Sequence, residues 1–170
     1  NGLNTCTGVR GRTEVLDTGD NDFTIICDYA HSPDGLEKVM AALKQLHPKR
    51  LVALFGCAGN RDRTKRPKMT AAVAKYADFA IFTSDNPRDE DPMQIIEDGL
   101  PGFEEYKIPY KVIVDRYQAI QWAQEHAQPG DLLVLAGKGH EDYQVLDFGT
   151  IGFDEHEIVK DLLKRKQKEK

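Results

Sequence analysis

Short apolar, β-branched runs alternate along the chain with segments whose apolar positions recur every three or four residues. Residues 23–28 (Phe-Thr-Ile-Ile-Cys-Asp) form the first run, which stops at an acid. Ser32, Pro33 and Asp34 then give a helix-start signal, followed by Leu36, Val39, Met40, Leu43 and Leu46 at helical spacing. Residues 51–55 read as a second buried strand, ended by the loop from Gly56 to Gly59. Pro67 sits where it can open another helix, running through Met69, Val73 and Tyr76. Residues 79–83 predict a third strand, and Pro92 starts a helix with Ile95, Ile96 and Leu100 on one face. Residues 111–114 and 132–136 give a fourth and a fifth strand, separated by a helix over 117–127.

Strands that are apolar throughout, alternating with amphipathic helices, imply a parallel sheet covered on both faces. The pattern therefore predicts an α/β, doubly wound, mostly parallel sheet with helices on both faces. Residues 12–17 and 143–146 read as additional, edge-type strands, and 155–166 as a terminal helix. Five of the last seven residues are Lys or Arg, which fits a solvated helix end. Neither an internal repeat nor a low-complexity linker is visible.

The 170 residues predict one domain, large enough to fold without disulfide or metal support. With 40% hydrophobic and 30% charged residues, the composition is that of a soluble globular chain. A formal net charge of −5 argues against a general nucleic-acid binder, which needs surplus cations to displace counterions. No apolar run approaches the roughly 20 residues that span a bilayer, and no signal peptide is visible, so no membrane partner is expected. Cys6, Cys27 and Cys57 are odd in number and far apart, which disfavours a disulfide framework or a zinc ribbon and predicts a cytoplasmic protein.

In open parallel sheets, ligands bind beyond the carboxyl ends of the strands. Four loops at those predicted ends mix glycine or proline with charge: 28–33, 56–67, 84–88 and 137–141. Together they predict a composite pocket. The second loop and the start of its helix carry Arg61, Arg63, Lys65, Arg66 and Lys68 against one acid, Asp62, a local positive field suited to an anion. The alternative is a solvated loop whose cations pair with acids such as Asp89, Glu90 and Asp91. Asp85, Asn86, Pro87 and Arg88 supply acceptors for an ammonium, a rigid turn and a planar bidentate donor for a carboxylate, the equipment for gripping a zwitterion. The alternative there is an Asx-type turn capping the next helix.

Gly137, Lys138, Gly139, His140 and Glu141 superficially look like a phosphate loop, yet the G-x-x-x-x-G-K-[ST] pattern occurs nowhere in the chain. His140 suits a structural turn, and Glu141 a surface acid or helix start. His31 can donate to a phosphate or orient its loop, and a plain capping role fits as well. Without cysteines or histidines at ligand spacing, no metal site is expected.

Five segments occur in one order: Gly11-Arg12-x-Glu14; Asp28-Tyr29-Ala30-His31-x-Pro33; Phe55-Gly56-Cys57-x-Gly59-Asn60-Arg61-Asp62-Arg63-x-Lys65-Arg66-Pro67; Thr83-Ser84-Asp85-Asn86-Pro87-Arg88; and Gly137-Lys138-Gly139-His140-Glu141. From Gly11 onward the chain resembles the carboxy-terminal domain of the Mur ligases, and within that family the diaminopimelate-adding members. The resemblance implies a Rossmann-like domain of an ATP-dependent amide-bond ligase of peptidoglycan synthesis, with residues 1–10 a linker remnant and 11–170 the amino-acid-binding domain. ATP and Mg2+ would be held mainly by a central domain, and the UDP-MurNAc-dipeptide by an amino-terminal one, both absent from this sequence. It further implies that this piece, a monomer, has no catalytic residues of its own, binds the incoming amino acid and closes over the nucleotide.

By the same resemblance, Arg61, Asp85, Asn86, Pro87, Arg88, Gly137 and Glu141 map onto the site for meso-2,6-diaminopimelate. Arg88 and Arg61 would clamp the distal carboxylate, and Asp85, Asn86 and Glu141 would accept from the ammonium. Gly137 would leave room and a backbone carbonyl. Arg12, Asp28 and His31 map onto nucleotide contacts, with Asp28 on the ribose hydroxyls and Arg12 on the phosphates. Lysine lacks the distal carboxylate and would leave Arg88 unpaired, which selects diaminopimelate. The alternatives are a lysine-adding or folylpolyglutamate-type ligase domain, or a non-catalytic amino-acid- or nucleotide-binding module. The spatial expectation is that Arg61, Arg88 and Glu141 converge along one lip.

Overall fold

The computed structural model describes residues 8–168. Its central sheet has six strands in the order β1-β2-β6-β3-β4-β5. These are β1 (Glu14–Leu16), β2 (Thr24–Asp28), β3 (Arg50–Cys57), β4 (Phe79–Ser84), β5 (Tyr110–Val112) and β6 (Asp131–Ala136). Every pairing among β2 to β6 is parallel, and β1 joins the β2 edge antiparallel. The helices are α1 (Pro33–Lys44), α2 (Lys65–Ala74), α3 (Pro92–Gly99), α4 (Arg116–Glu125) and α5 (Glu155–Lys168), with a 3-10 turn at Leu100–Phe103.

Alternate residues of each strand enter different cores. Ala53, Phe55 and Phe82 pack with Leu36, Met40, Val73 and Ile96 of α1, α2 and α3, whereas Val52, Leu54 and Ile81 pack with Ala119, Ile120, Val159 and Leu162 of α4 and α5. Burial on both faces explains why the strands read as unbroken apolar runs, each fully buried side chain contributing about 1.5–3 kcal/mol. The helix starts follow local chemistry. Ser32 accepts from Gly35 N, Asp91 from Met93 N and Asp115 from Gln118 N.

Three elements depart from the sequence pattern. Residues 143–146 do not join the main sheet: β7 (Tyr143–Leu146) pairs antiparallel with β8 (Gly149–Gly152) as a separate ribbon. The sequence of β8, Gly-Thr-Ile-Gly, is glycine-rich and mostly exposed, so it carries no strand signal. Helix α2 begins at Lys65, two residues before Pro67, because a proline in the first turn forfeits no intrahelical bond.

Cys27 and Cys57 are buried free thiols, and burial pushes the Cys57 thiol up to about 12. Cys6, most of the expected linker and the last two residues of the basic tail lie outside the described residues. No helix among the described residues is long and apolar enough to cross a membrane.

Candidate functional site

The strand order sets the site. Four of the parallel strands, β2, β6, β3 and β4, lie side by side, so the loops after them emerge along one rim. The loop after β6 reaches both the end of β2 and the loop after β4. Gly137 N donates to Asp28 O at 3.0 Å, and the Lys138 ammonium reaches Asn86.

On the β2 side, Arg12, Asp28, Tyr29 and His31 line an open cleft of about 530 Å³, within the size range of small-molecule sites. Asp28 is buried and largely engaged: Oδ2 accepts from Thr13 N at 2.7 Å and Thr13 Oγ1 at 3.1 Å, and Oδ1 from Ala30 N at 2.8 Å. Its carboxylate thereby holds the turn that presents Arg12, with three of roughly four acceptor positions used. The Arg12 guanidinium lies over the Tyr29 ring, 5.5 Å from its centroid. The Tyr29 ring also stands 4.6 Å from His31 and 5.0 Å from His140, centroid to centroid. His31 Nδ1 is 2.7 Å from Tyr29 O, which leaves its other ring nitrogen directed elsewhere in an exposed position.

On the β4 side, Asp85 and Asn86 are buried, each 6% exposed. Asn86 Oδ1 accepts from Lys138 Nζ at 2.9 Å and from Val145 N at 3.0 Å. Both partners can only donate, so the oxygen is identified and filled, and the amide nitrogen is the end left for another group. Lys138, fully buried, also lies 3.1 Å from Asp85 Oδ1 and 3.8 Å from Glu141 Oε2. The first contact is an ion pair without hydrogen-bond alignment, and Asp85 Oδ1 has no hydrogen-bond partner. Gly137, at φ +115°, holds a backbone conformation that favours glycine, and a Cβ there would make only ordinary contact with the Asp85 carboxylate, at 3.9 Å.

Arg88 adopts φ +56° and donates from Nη1 to Gly59 O at 2.7 Å. Its backbone N–H is taken by Val145 O at 3.1 Å. Gly59 is required where the two loops meet, since a Cβ would come within 1.9 Å of Pro87 O. Glu141 has two tyrosines for neighbours. Its charge is the leading cause that raises the Tyr143 hydroxyl, and it adds to burial in raising Tyr29, while Arg88 acts on Tyr143 in the opposite sense. Arg88 and Glu141 therefore both act on the Tyr143 hydroxyl. Arg61 is not drawn into that cluster; it is exposed, with Nη1 on the carbonyl of Asn60 at 3.2 Å.

The positive loop is less free than its composition implies. Arg66 is buried, donating to both Glu90 oxygens at 3.0 and 2.8 Å and to Asp98 at 2.8 Å, and Arg63 also donates to Asp98. These two cations lock loops together. Arg61, Lys65 and Lys68 remain exposed.

A family model for "Mur ligase, glutamate ligase domain" matches residues 11–139. The chain belongs to the Mur ligase family. It is 49% identical over 162 residues to UDP-N-acetylmuramoyl-L-alanyl-D-glutamate–2,6-diaminopimelate ligase of Syntrophomonas wolfei, covering 95% of this chain and 33% of that protein. The enzyme of the same name from Caldanaerobacter subterraneus is 48% identical over 160 residues, covering 94% and 33%. A solved structure of a ligase of that name superposes with a TM-score of 0.87 at 42% identity, again over 95% of this chain and 33% of the other. The chain thus spans about a third of the length of these Mur ligase relatives.

Within this Mur ligase domain the motifs sort into two neighbouring groups, Arg12, Asp28 and His31 in the cleft, and Asp85, Asn86, Pro87, Arg88, Gly137 and Glu141 beside it. Tyr29, Lys138 and Tyr143 stand near them; the first two belong to the quoted motifs, but sequence reasoning assigned none of the three a role. For Lys138 a signal existed, a cation directly after an apolar strand and between two glycines. Tyr143 depends on the β7–β8 ribbon and had none.

Proposed function

We propose that this chain is the amino-acid-binding part of a diaminopimelate-adding Mur ligase, in which it presents the amine of meso-2,6-diaminopimelate to the D-glutamyl carboxylate of UDP-MurNAc-dipeptide. The observation that carries the reading is a buried Asp85 whose Oδ1 has no hydrogen-bond partner, three residues before an Arg88 that the turn holds at φ +56°. An acid and a guanidinium fork together suit one end of a zwitterion. Identity of 42–49% to ligases named for diaminopimelate supports the same choice.

In this reading Asp85 and Glu141 accept from the distal ammonium, and Arg88 clamps the distal carboxylate. Asn86 takes a different part from the one its residue type first implies. With its oxygen filled, its free amide N–H suits the ligand carboxylate, beside Arg88. Arg61, exposed at the tip of its loop, would reach the carboxylate by loop closure.

ATP is the proposed co-substrate and supplies the phosphoryl group that activates the carboxylate. The cleft residues fit it: Arg12 and His31 offer donors for phosphate, and the last acceptor position of Asp28 suits a ribose hydroxyl. Mg2+ is the proposed companion of ATP; among the described residues no three His, Cys, Asp or Glu side chains gather. The part played by this domain is positioning and charge neutralisation in the cytoplasm, where ATP and the nucleotide-linked substrate are available.

The test is kinetic, in the longer protein that carries this chain. Arg88→Ala is expected to raise the diaminopimelate KM about tenfold or more while the ATP KM stays within about twofold, and Asp28→Ala to do the reverse. Equal effects of Arg88→Ala on both substrates would contradict the assignment.

A further inference from the structure

Three cations are buried among the described residues: Arg66, Arg116 and Lys138. Arg66 ties two loops to α3, and Arg116 pairs with Glu155 beneath the strand ends. Lys138 alone of the three has its head among the groups assigned to the amino acid. Its Nζ is 2.9 Å from Asn86 Oδ1, 3.1 Å from Asp85 Oδ1 and 3.8 Å from Glu141 Oε2. Lys138 starts from the loop after β6, and Asp85 and Asn86 follow β4, so its long arm crosses the end of β3 to join loops that are not neighbours in the sheet.

The environment gives this contact a purpose beyond packing. Burial pulls the Lys138 ammonium below the usual lysine range, and the facing Asp85 carboxylate is the main group that draws it back up. Asp85 and Glu141 outnumber Lys138 by one formal negative charge, and Arg116, which also acts on Asp85 and Lys138, is itself balanced by Glu155. Asp85 Oδ1 has no hydrogen-bond partner, so the Lys138 ammonium at 3.1 Å is its compensation; without the lysine, Asp85 and Glu141 would be left with no cation between them. The same ammonium, by filling Asn86 Oδ1, fixes which end of that carboxamide is free.

From this juxtaposition we infer that Lys138 is a positioning residue of the amino-acid site, acting through Asp85 and Asn86 without touching the ligand. The inference rests on the function proposed above. It separates Lys138 from Arg116, whose guanidinium acts on backbone carbonyls below the site.

The test is a cycle of Lys138→Met, Asp85→Asn and the double variant in the longer protein, with the diaminopimelate and ATP KM read for each. Lys138→Met is expected to raise the diaminopimelate KM about tenfold with the ATP KM within about twofold. The double variant, in which the charge and its counter-charge go together, is expected to fold and to bind diaminopimelate within about threefold of Asp85→Asn alone, because the Asp85 charge is already gone and Val145 N still holds Asn86 Oδ1. If Lys138→Met alone fails to fold, the comparison of the double variant with Asp85→Asn carries the test. Multiplying effects, equal rises for both substrates, or failure of the double variant to fold would overturn the inference and assign Lys138 to stability. Arg88→Ala is measured alongside. A selective rise there without one for Lys138→Met rejects this inference alone, whereas no rise for Arg88→Ala rejects the proposed function itself.

Discussion

Arg116 and Glu155 meet at 2.7 Å with neither side chain exposed at all. The guanidinium also donates to Ser84 O at 3.2 Å and Ala136 O at 2.9 Å, the carbonyls where β4 and β6 end, so one side chain fixes the starting points of two site loops. Glu155 completes its set by accepting from Cys27 Sγ at 3.5 Å. Removing one member strands the other without water or counter-charge. Glu155→Gln is therefore expected to lower unfolding free energy by about 3–5 kcal/mol in denaturant titration, and a loss under about 1 kcal/mol would show that the pair is not holding the strand ends. No sequence signal separates Arg116 and Glu155 from ordinary surface charges, since both sit in the first turn of polar helices and only the packing of α4 against α5 buries them. Asp85, Arg88 and Glu141 were legible for the opposite reason. Their types and spacing mean something in short loops at strand ends, whereas the free end of Asn86 depends on two donors from distant parts of the chain.

At the scale of elements, the loop after β3 and the loop after β4 behave as one body. Gly59 N donates to Asn86 O at 2.8 Å, Arg88 returns to Gly59 O, and Arg66 and Arg63 converge on Asp98 of α3. The hydrogen bond from Arg63, aided by those from Arg66 and Gln94, pulls the Asp98 carboxyl from 3.8 down to about 2 against the opposing effect of burial. A carboxyl depressed in the folded state stabilises it fully above 3.8, and that stabilisation is lost as pH falls through about 2. The melting temperature of the native protein should thus fall more between about pH 5 and about pH 2 than that of Asp98→Asn. Equal acid sensitivity would mean that the Arg63–Arg66–Asp98 clamp contributes nothing. The strands were readable because both faces are covered. The β7–β8 ribbon was not, and it matters: Gln144 Nε2 donates to Asp85 O at 2.7 Å, and Val145 supplies two of the bonds that shape the Asp85–Arg88 turn.

Across the whole molecule, the decisive feature is the return of β6 to a place between β2 and β3. That insertion sets the Gly137–Glu141 loop against Asp28 on one side and Asp85 on the other, making neighbours of the cleft lined by Arg12, Asp28 and His31 and the group around Asp85. Strand order is a property of long-range pairing, and apolar periodicity says nothing about it; the rim was foreseeable, its internal order was not. The account as a whole requires that the opening prefer a ligand bearing a distal carboxylate, because a ligand without one leaves the Arg88 charge uncompensated. The most direct measurement is the ratio of kcat/KM for meso-2,6-diaminopimelate to that for L-lysine in the longer protein that carries this chain. A ratio of about ten or more in favour of diaminopimelate is predicted; equal use of the two, or a preference for lysine, would contradict the account.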